Sequence, residues 1–128
     1  MRPDDVDMSR LWDILDAART AVEFTKDLRF EEFLRDRKTR YAVERSLEIV
    51  GEAARCLSQE IRNNHPDIPW SSIIALRNII AHDYGEILYE NIWRVCMDRL
   101  PPLIEWVEGM GVENLPSDED SRSFDKSD

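Results

Sequence analysis

Residues 40–61, RYAVERSLEIVGEAARCLSQEI, decide the fold. Val43, Leu47, Val50, Ala54, Leu57 and Ile61 follow one another at steps of four and three, forming one apolar seam almost three heptads long. Steps of that size stack on one side of a helix, and so narrow a seam suits a partner helix. The expectation is a long helix beginning near Arg40, seated in a bundle or at a helix–helix dimer contact. Gly51 lies off the seam and costs about 1 kcal/mol relative to Ala in a helix interior. Two readings of it stay open: close approach by another backbone, or simple tolerance.

Outward from this stretch, helical spacing continues on both sides. Met8, Leu11, Trp12, Leu15, Ala18 and Val22 mark one face of a first helix from near Met8 to Lys26. A short helical piece around Phe30 to Leu34 follows, flanked by charge. Downstream, Asn63-Asn-His-Pro-Asp-Ile-Pro-Trp70 holds two prolines and two asparagines, which end helical hydrogen bonding and favour turns. Ser71 or Ser72 then offers a hydroxyl to cap a third helix, which carries Ile73, Leu76, Arg77 and Ile80 and ends between His82 and Gly85. The last helix is expected from Leu88 or Tyr89, with Pro101-Pro102 as a kink or a junction of two helices. Four helical segments on short connections predict an all-α, antiparallel up-and-down bundle of four to five helices. Residues 1–110 form one domain in this reading, and 111–128 an acidic tail without periodicity that is expected to be disordered.

The chain has 128 residues, 42% hydrophobic and 34% charged, with only 4 Gly and 6 Pro. That composition supports one soluble domain and argues against a loop-rich or all-β design. The net charge is -10. Six acids and two bases lie from Gly109 to Asp128, three acids and one base from Met1 to Asp7. More than half of the excess therefore sits on expected tails, yet the body is still not a basic surface. Any RNA contact must be local, or made by a dimer that pools positive charge in one cleft. Cys56 and Cys96 fall in helical patterns. A disulfide is open to them, but free thiols in a reducing interior are the expectation. No apolar leader and no long apolar run is present, so a cytoplasmic protein without a membrane span is expected.

Few side chains can carry chemistry. His65 lies in an Asn-Asn-His-Pro turn and is expected as an exposed loop residue. His82 belongs to Arg77, Asn78, His82, Asp83 and Tyr84, five polar groups along two turns of an otherwise apolar helix. Buried charge is costly unless paired or used, so this cluster belongs at a cleft or interface. Histidine suits proton transfer near neutral pH, and the planar fork of arginine matches phosphate oxygens. Together they suit RNA cleavage by the neighbouring 2′-hydroxyl without a metal. Yet Arg77 and His82 stand about 140° apart on a regular helix. Either His82 lies past the helix end, or a two-fold axis brings two copies of the pair together. A bland alternative is an Arg and a His favoured by the helix dipole, with Asp83 pairing to Arg77 or a neighbour. Arg45 and Glu48 suggest a structural i,i+3 pair; Glu48 and Glu52 either help the site or only solvate a helix face, and solvation is the expectation. Cys56, His65, His82 and Cys96 lack the close spacing of zinc ligands.

Three ordered blocks carry a wider resemblance: Tyr41 to Ala54, His65 to Trp70, and Leu76 to Tyr84, with Asp98-Arg-Leu-Pro101 after them. On these the chain resembles the HepT-like branch of the HEPN superfamily, over roughly Met8 to Val107. The resemblance implies an antiparallel helical bundle, an active cleft formed across a homodimer, and metal-independent RNA cleavage with no cofactor. It assigns Arg77 and His82 as the catalytic pair, Asn78 as the polar residue after the Arg, and Tyr84 as the tyrosine of R-x-x-x-x-H-x-Y. It further implies that a cognate MntA-like nucleotidyltransferase antitoxin uses ATP to place AMP on Tyr84. After Tyr84 the chain departs from many relatives, reading Gly85-Glu-Ile-Leu-Tyr89. A non-catalytic nucleotide- or partner-binding module is the alternative, favoured by the net charge. A purely structural dimerisation bundle would explain the seam but not the polar cluster.

Overall fold

The computed structural model describes residues 5–112. Among them there is no strand, and the helices are α1 (Asp5–Thr25), α2 (Phe30–Arg35), α3 (Arg37–Arg55), α4 (Gln59–Asn64), α5 (Trp70–Ile74), α6 (Leu76–His82), α7 (Gly85–Arg94) and α8 (Leu100–Glu108). A π-helical turn, Val95–Arg99, joins α7 to α8. The class is all-α and the architecture a bundle, as expected. The tail from 113 onward lies outside the described residues. Val112, inside the expected tail, is fully buried.

The apolar seam holds in full: Val43, Leu47, Val50, Ala54, Leu57 and Ile61 are all buried. It does not run along one helix, however. Asp36 starts α3 three residues earlier than expected, its Oδ1 accepting the Thr39 N–H at 3.1 Å. The helix stops at Arg55, and Ser58 caps α4 by accepting the Ile61 N–H. Asp7 enforces that break, since its carboxylate accepts the Ser58 N–H at 2.9 Å and the Ser58 hydroxyl at 2.5 Å. Asp7 is itself buried in α1, so Asp7 belongs to the helical body and not to a tail.

α1 packs chiefly along α3, with α8 against its other side. Its enclosed face is Leu11, Ile14, Leu15, Ala17, Ala18 and Ala21, while Met8, Trp12 and Val22 are only partly buried. Each Leu or Ile sealed here stabilises the fold by about 1.5–3 kcal/mol. Arg19 and Glu108 tie α1 to α8 by an ion pair at 2.5 Å. Phe33 of α2 is fully buried and meets Tyr89 and Trp93 of α7 at ring-centroid distances of 6.0 and 5.4 Å. These edge-on and tilted contacts hold α7 against α2.

Pro101 and Pro102 do not kink the last helix at their own position. They occupy the first turn of α8, where a missing N–H costs nothing. The adjustment falls in the turn before them. Proline rings crowd the carbonyl four residues back, and the chain widens there into the π turn, with the Leu100 N–H bonding to the Val95 carbonyl.

Candidate active site

The segment after α4 folds around Trp70, which is buried and donates its indole N–H to the His65 carbonyl at 3.0 Å. His65 is half-buried at the end of α4, not fully exposed. Pro69 stands at the N-cap of α5, so Ser71 and Ser72 lie inside the helix instead of capping it. The expected third helix is divided at Ala75 into α5 and α6.

α6 is short, and Leu76 is its one buried residue. Ile79 and Ile80 are half-buried, while Arg77, Asn78, Ala81 and His82 are exposed. The helix ends at His82: the Asp83 N–H bonds back to the Ile79 carbonyl at 3.0 Å, and Asp83 itself is extended. His82 is thus the last helical residue and not a residue past the end. Of the two ways to unite Arg77 with His82, the first is removed, and no ion pair or hydrogen bond joins the two among the described residues.

Tyr84 is extended, and the chain turns into α7 through Gly85 at φ 60°. Glycine reaches that conformation at little cost. The corner leaves the Tyr84 side chain 79% exposed and Ile87 66% exposed. Asp83 accepts from Asn91 Nδ2 at 2.7 Å, so it braces α7 instead of pairing with Arg77. Asn78 makes no side-chain bond among the described residues.

Arg77 is held from another helix. Its Nη1 lies 2.7 Å from Glu52 Oε1, while Glu52 Oε2 lies 2.5 Å from Arg55 Nη2. A hydrogen bond from Arg55, with the charges of Arg55 and Arg77 nearby, holds the Glu52 carboxyl below its usual range. The pair therefore stays ionised above the ordinary carboxylate range and is lost only as pH falls through that lowered value. The Arg45–Glu48 pair expected on α3 does not form among the described residues. Gly51 explains the approach of α6 to α3: a Cβ there would stand 2.8 Å from Arg77 Cγ and 3.3 Å from the Ile74 carbonyl oxygen. Close approach, not tolerance, is the reason for this glycine.

The sequence singled out Arg77, Asn78, His82, Asp83 and Tyr84 and left open whether Glu52 helps the site, but did not show that Glu52 pairs with Arg77 beside Gly51. The local signals were the glycine and the acid next to it. Among the described residues no group of three His, Cys, Asp or Glu side chains could hold a metal ion. No helix there is long and apolar enough to cross a membrane. Both cysteines are free thiols.

Comparison with known proteins adds a family to this geometry. Residues 14–110 match the model of the family described as ribonuclease HepT-like. A protein of Methanocaldococcus jannaschii named "Putative RNase MJ1380" is 41% identical over 98 residues, covering 77% of this chain and 90% of its own. A second from that organism, "Putative RNase MJ0127", is 39% identical over 111 residues, with 87% and 92% covered. "Probable ribonuclease HepT" of Thermococcus cleftensis is 37% identical over 93 residues, with 73% and 84% covered. No solved structure matches.

Proposed function

The chain belongs to the ribonuclease HepT-like family, and on that premise we propose that it is a toxin that cleaves RNA, restrained by a nucleotidyltransferase antitoxin. The observation that carries this reading is the α6–α7 corner. It presents Arg77, His82 and Tyr84 to solvent from one short helix and its exit, while most of the chain's large apolar side chains are at least partly enclosed.

In the proposed reaction His82 takes the proton from a ribose 2′-hydroxyl. The 2′-oxygen attacks the adjacent phosphorus, and the bond to the 5′-oxygen breaks as that oxygen gains a proton. The products are a 2′,3′-cyclic phosphate and a free 5′-hydroxyl. Arg77 binds the phosphate oxygens and stabilises the charge that grows on them. Since a regular helix sets Arg77 and His82 about 140° apart, the two do not share one face of α6. A homodimer with its two-fold axis beside α6 would set Arg77 of one copy near His82 of the other. It would also cover Ile80 and Ile87, leave Tyr84 at the cleft mouth, and pool cations that a chain of charge -10 otherwise lacks.

Control follows from exposure. The Tyr84 hydroxyl can attack the α-phosphorus of ATP, held by an MntA-like partner, releasing pyrophosphate and leaving AMP on the phenol oxygen. The added phosphodiester would repel substrate phosphate and block the cleft mouth. The test is purified protein on labelled RNA. Cleavage should yield cyclic-phosphate ends, persist in EDTA and disappear in His82→Ala. Tyr84→Phe should stay toxic, gain no AMP mass on co-expression with the partner, and escape neutralisation. The net charge favours a second reading, a non-catalytic module that binds a nucleotide or a partner. Absence of cleavage by a dimeric parent protein would support that reading and overturn the first.

A further inference from the structure

Glu52 is used by nothing in the reaction above, yet among the described residues it is the one side chain that pairs with Arg77. Its carboxylate is shared by two guanidinium groups: Oε1 stands 2.7 Å from Arg77 Nη1 and accepts from Arg55 Nε at 3.4 Å, while Oε2 accepts from Arg55 Nη2 at 2.5 Å. Arg55 lies three residues along the same helix, whereas Arg77 arrives from α6. The stem of Arg77 also lies in van der Waals reach of the bare backbone at Gly51. A carboxylate on one side and a missing Cβ behind thus fix both the head and the stem of one arginine.

Resting on the reading of Arg77 as the phosphate-binding cation, we propose that Glu52 is a positioning residue that acts through Arg77 and sets the direction of its guanidinium fork. The physical need is clear. An exposed arginine samples many rotamers, and a fork that must meet a transition state works best when its direction is set beforehand. Guanidinium has five N–H donors. The ion pair engages Nη1 and leaves the rest of the fork for phosphate oxygens. At 49% and 42% side-chain exposure the pair contributes little to stability, so its value lies in geometry. The same two faces also separate positioning from a merely structural role, because the Glu52–Arg55 half of the arrangement braces α3 alone.

The test compares six variants of the full chain on one RNA substrate, each checked for an unchanged melting temperature. Glu52→Ala should lower kcat by about tenfold to a hundredfold, the scale of a displaced reacting group, with KM changed much less. Glu52→Gln, of the same size, should fall between it and the parent because one acceptor oxygen remains. Arg55→Ala removes only the brace along α3 and should leave kcat within about twofold, since Glu52 keeps its contact to Arg77. In an Arg77→Lys background, Glu52→Ala should cost little more, because the fork it directs is gone. Parental kcat in Glu52→Ala would overturn the positioning role, as would an equal loss in Arg55→Ala, or a full additive loss in the Arg77→Lys background. Parental cleavage by Arg77→Ala would instead remove the reading of Arg77 itself, a result separate from any of these.

Discussion

Along α1, Leu11, Ile14, Leu15, Ala18 and Ala21 are each fully enclosed. Along α6 only Leu76 is buried, and the next residues expose His82, Tyr84, Gly85, Glu86 and Ile87. The first region is held by apolar area, to which a capped helix start at Asp36 and the Asp7–Ser58 contact add direction. The second is held by a few specific points: Leu76 below, Glu52 and Gly51 beside Arg77, and Asn91 on Asp83. A region that encloses its side chains cannot offer them to a substrate. The proposed chemistry therefore sits where packing is thinnest, on a helix placed by the part that packs best.

Four experiments would break or sharpen that contrast. Arg77→Ala and His82→Ala should show the largest effect, a loss of about 10²–10⁴-fold in cleavage rate, while thermal unfolding moves by no more than about 2 °C, as for exposed positions. Calorimetry beside the rate assay checks this, and substantial melting would mean that α6 carries stability after all. Leu47→Ala should act in the opposite sense. It removes a fully enclosed side chain of α3 and should destabilise by about 2–5 kcal/mol, measured by denaturant titration, with activity per folded molecule unchanged.

Gly51→Ala lies where the two regions touch. Alanine gains about 1 kcal/mol of helix propensity, but its Cβ would meet Arg77 Cγ and the Ile74 carbonyl. Net stability should change by less than about 1 kcal/mol, while cleavage falls about tenfold through the displaced arginine. Equal losses of both would erase the distinction between scaffold and site. The smallest effect concerns the thiols. Burial pushes the Cys96 thiol up to about 12, against a bond from Thr25 that acts the other way, whereas Cys56 is only half-buried at the end of α3. A chromogenic disulfide reagent at pH 8 should label Cys56 well before Cys96, and equal rates would show that the core opens as readily as its edge.

Sequence periodicity by itself determined the helical class, because 3.6-residue spacing places apolar groups on one face whatever they later meet. It determined the seam residues, all of which are buried, and a break within 63–70, which the structure narrows to 65–69 around prolines that cannot continue a helix. The five polar residues of the 77–84 stretch were legible for a similar reason: charge on an apolar helix is costly unless it is placed for use. Only the tertiary structure decided where the seam breaks, because the acceptor that stops it, Asp7, lies 51 residues from Ser58. It alone decided that the chain widens into a π turn just before Pro101 and Pro102. It alone showed that Gly51 makes room and that Glu52, half-exposed, pairs with Arg77. Those last facts rest on contacts between helices far apart in the chain, and such contacts leave no period in the sequence of either helix.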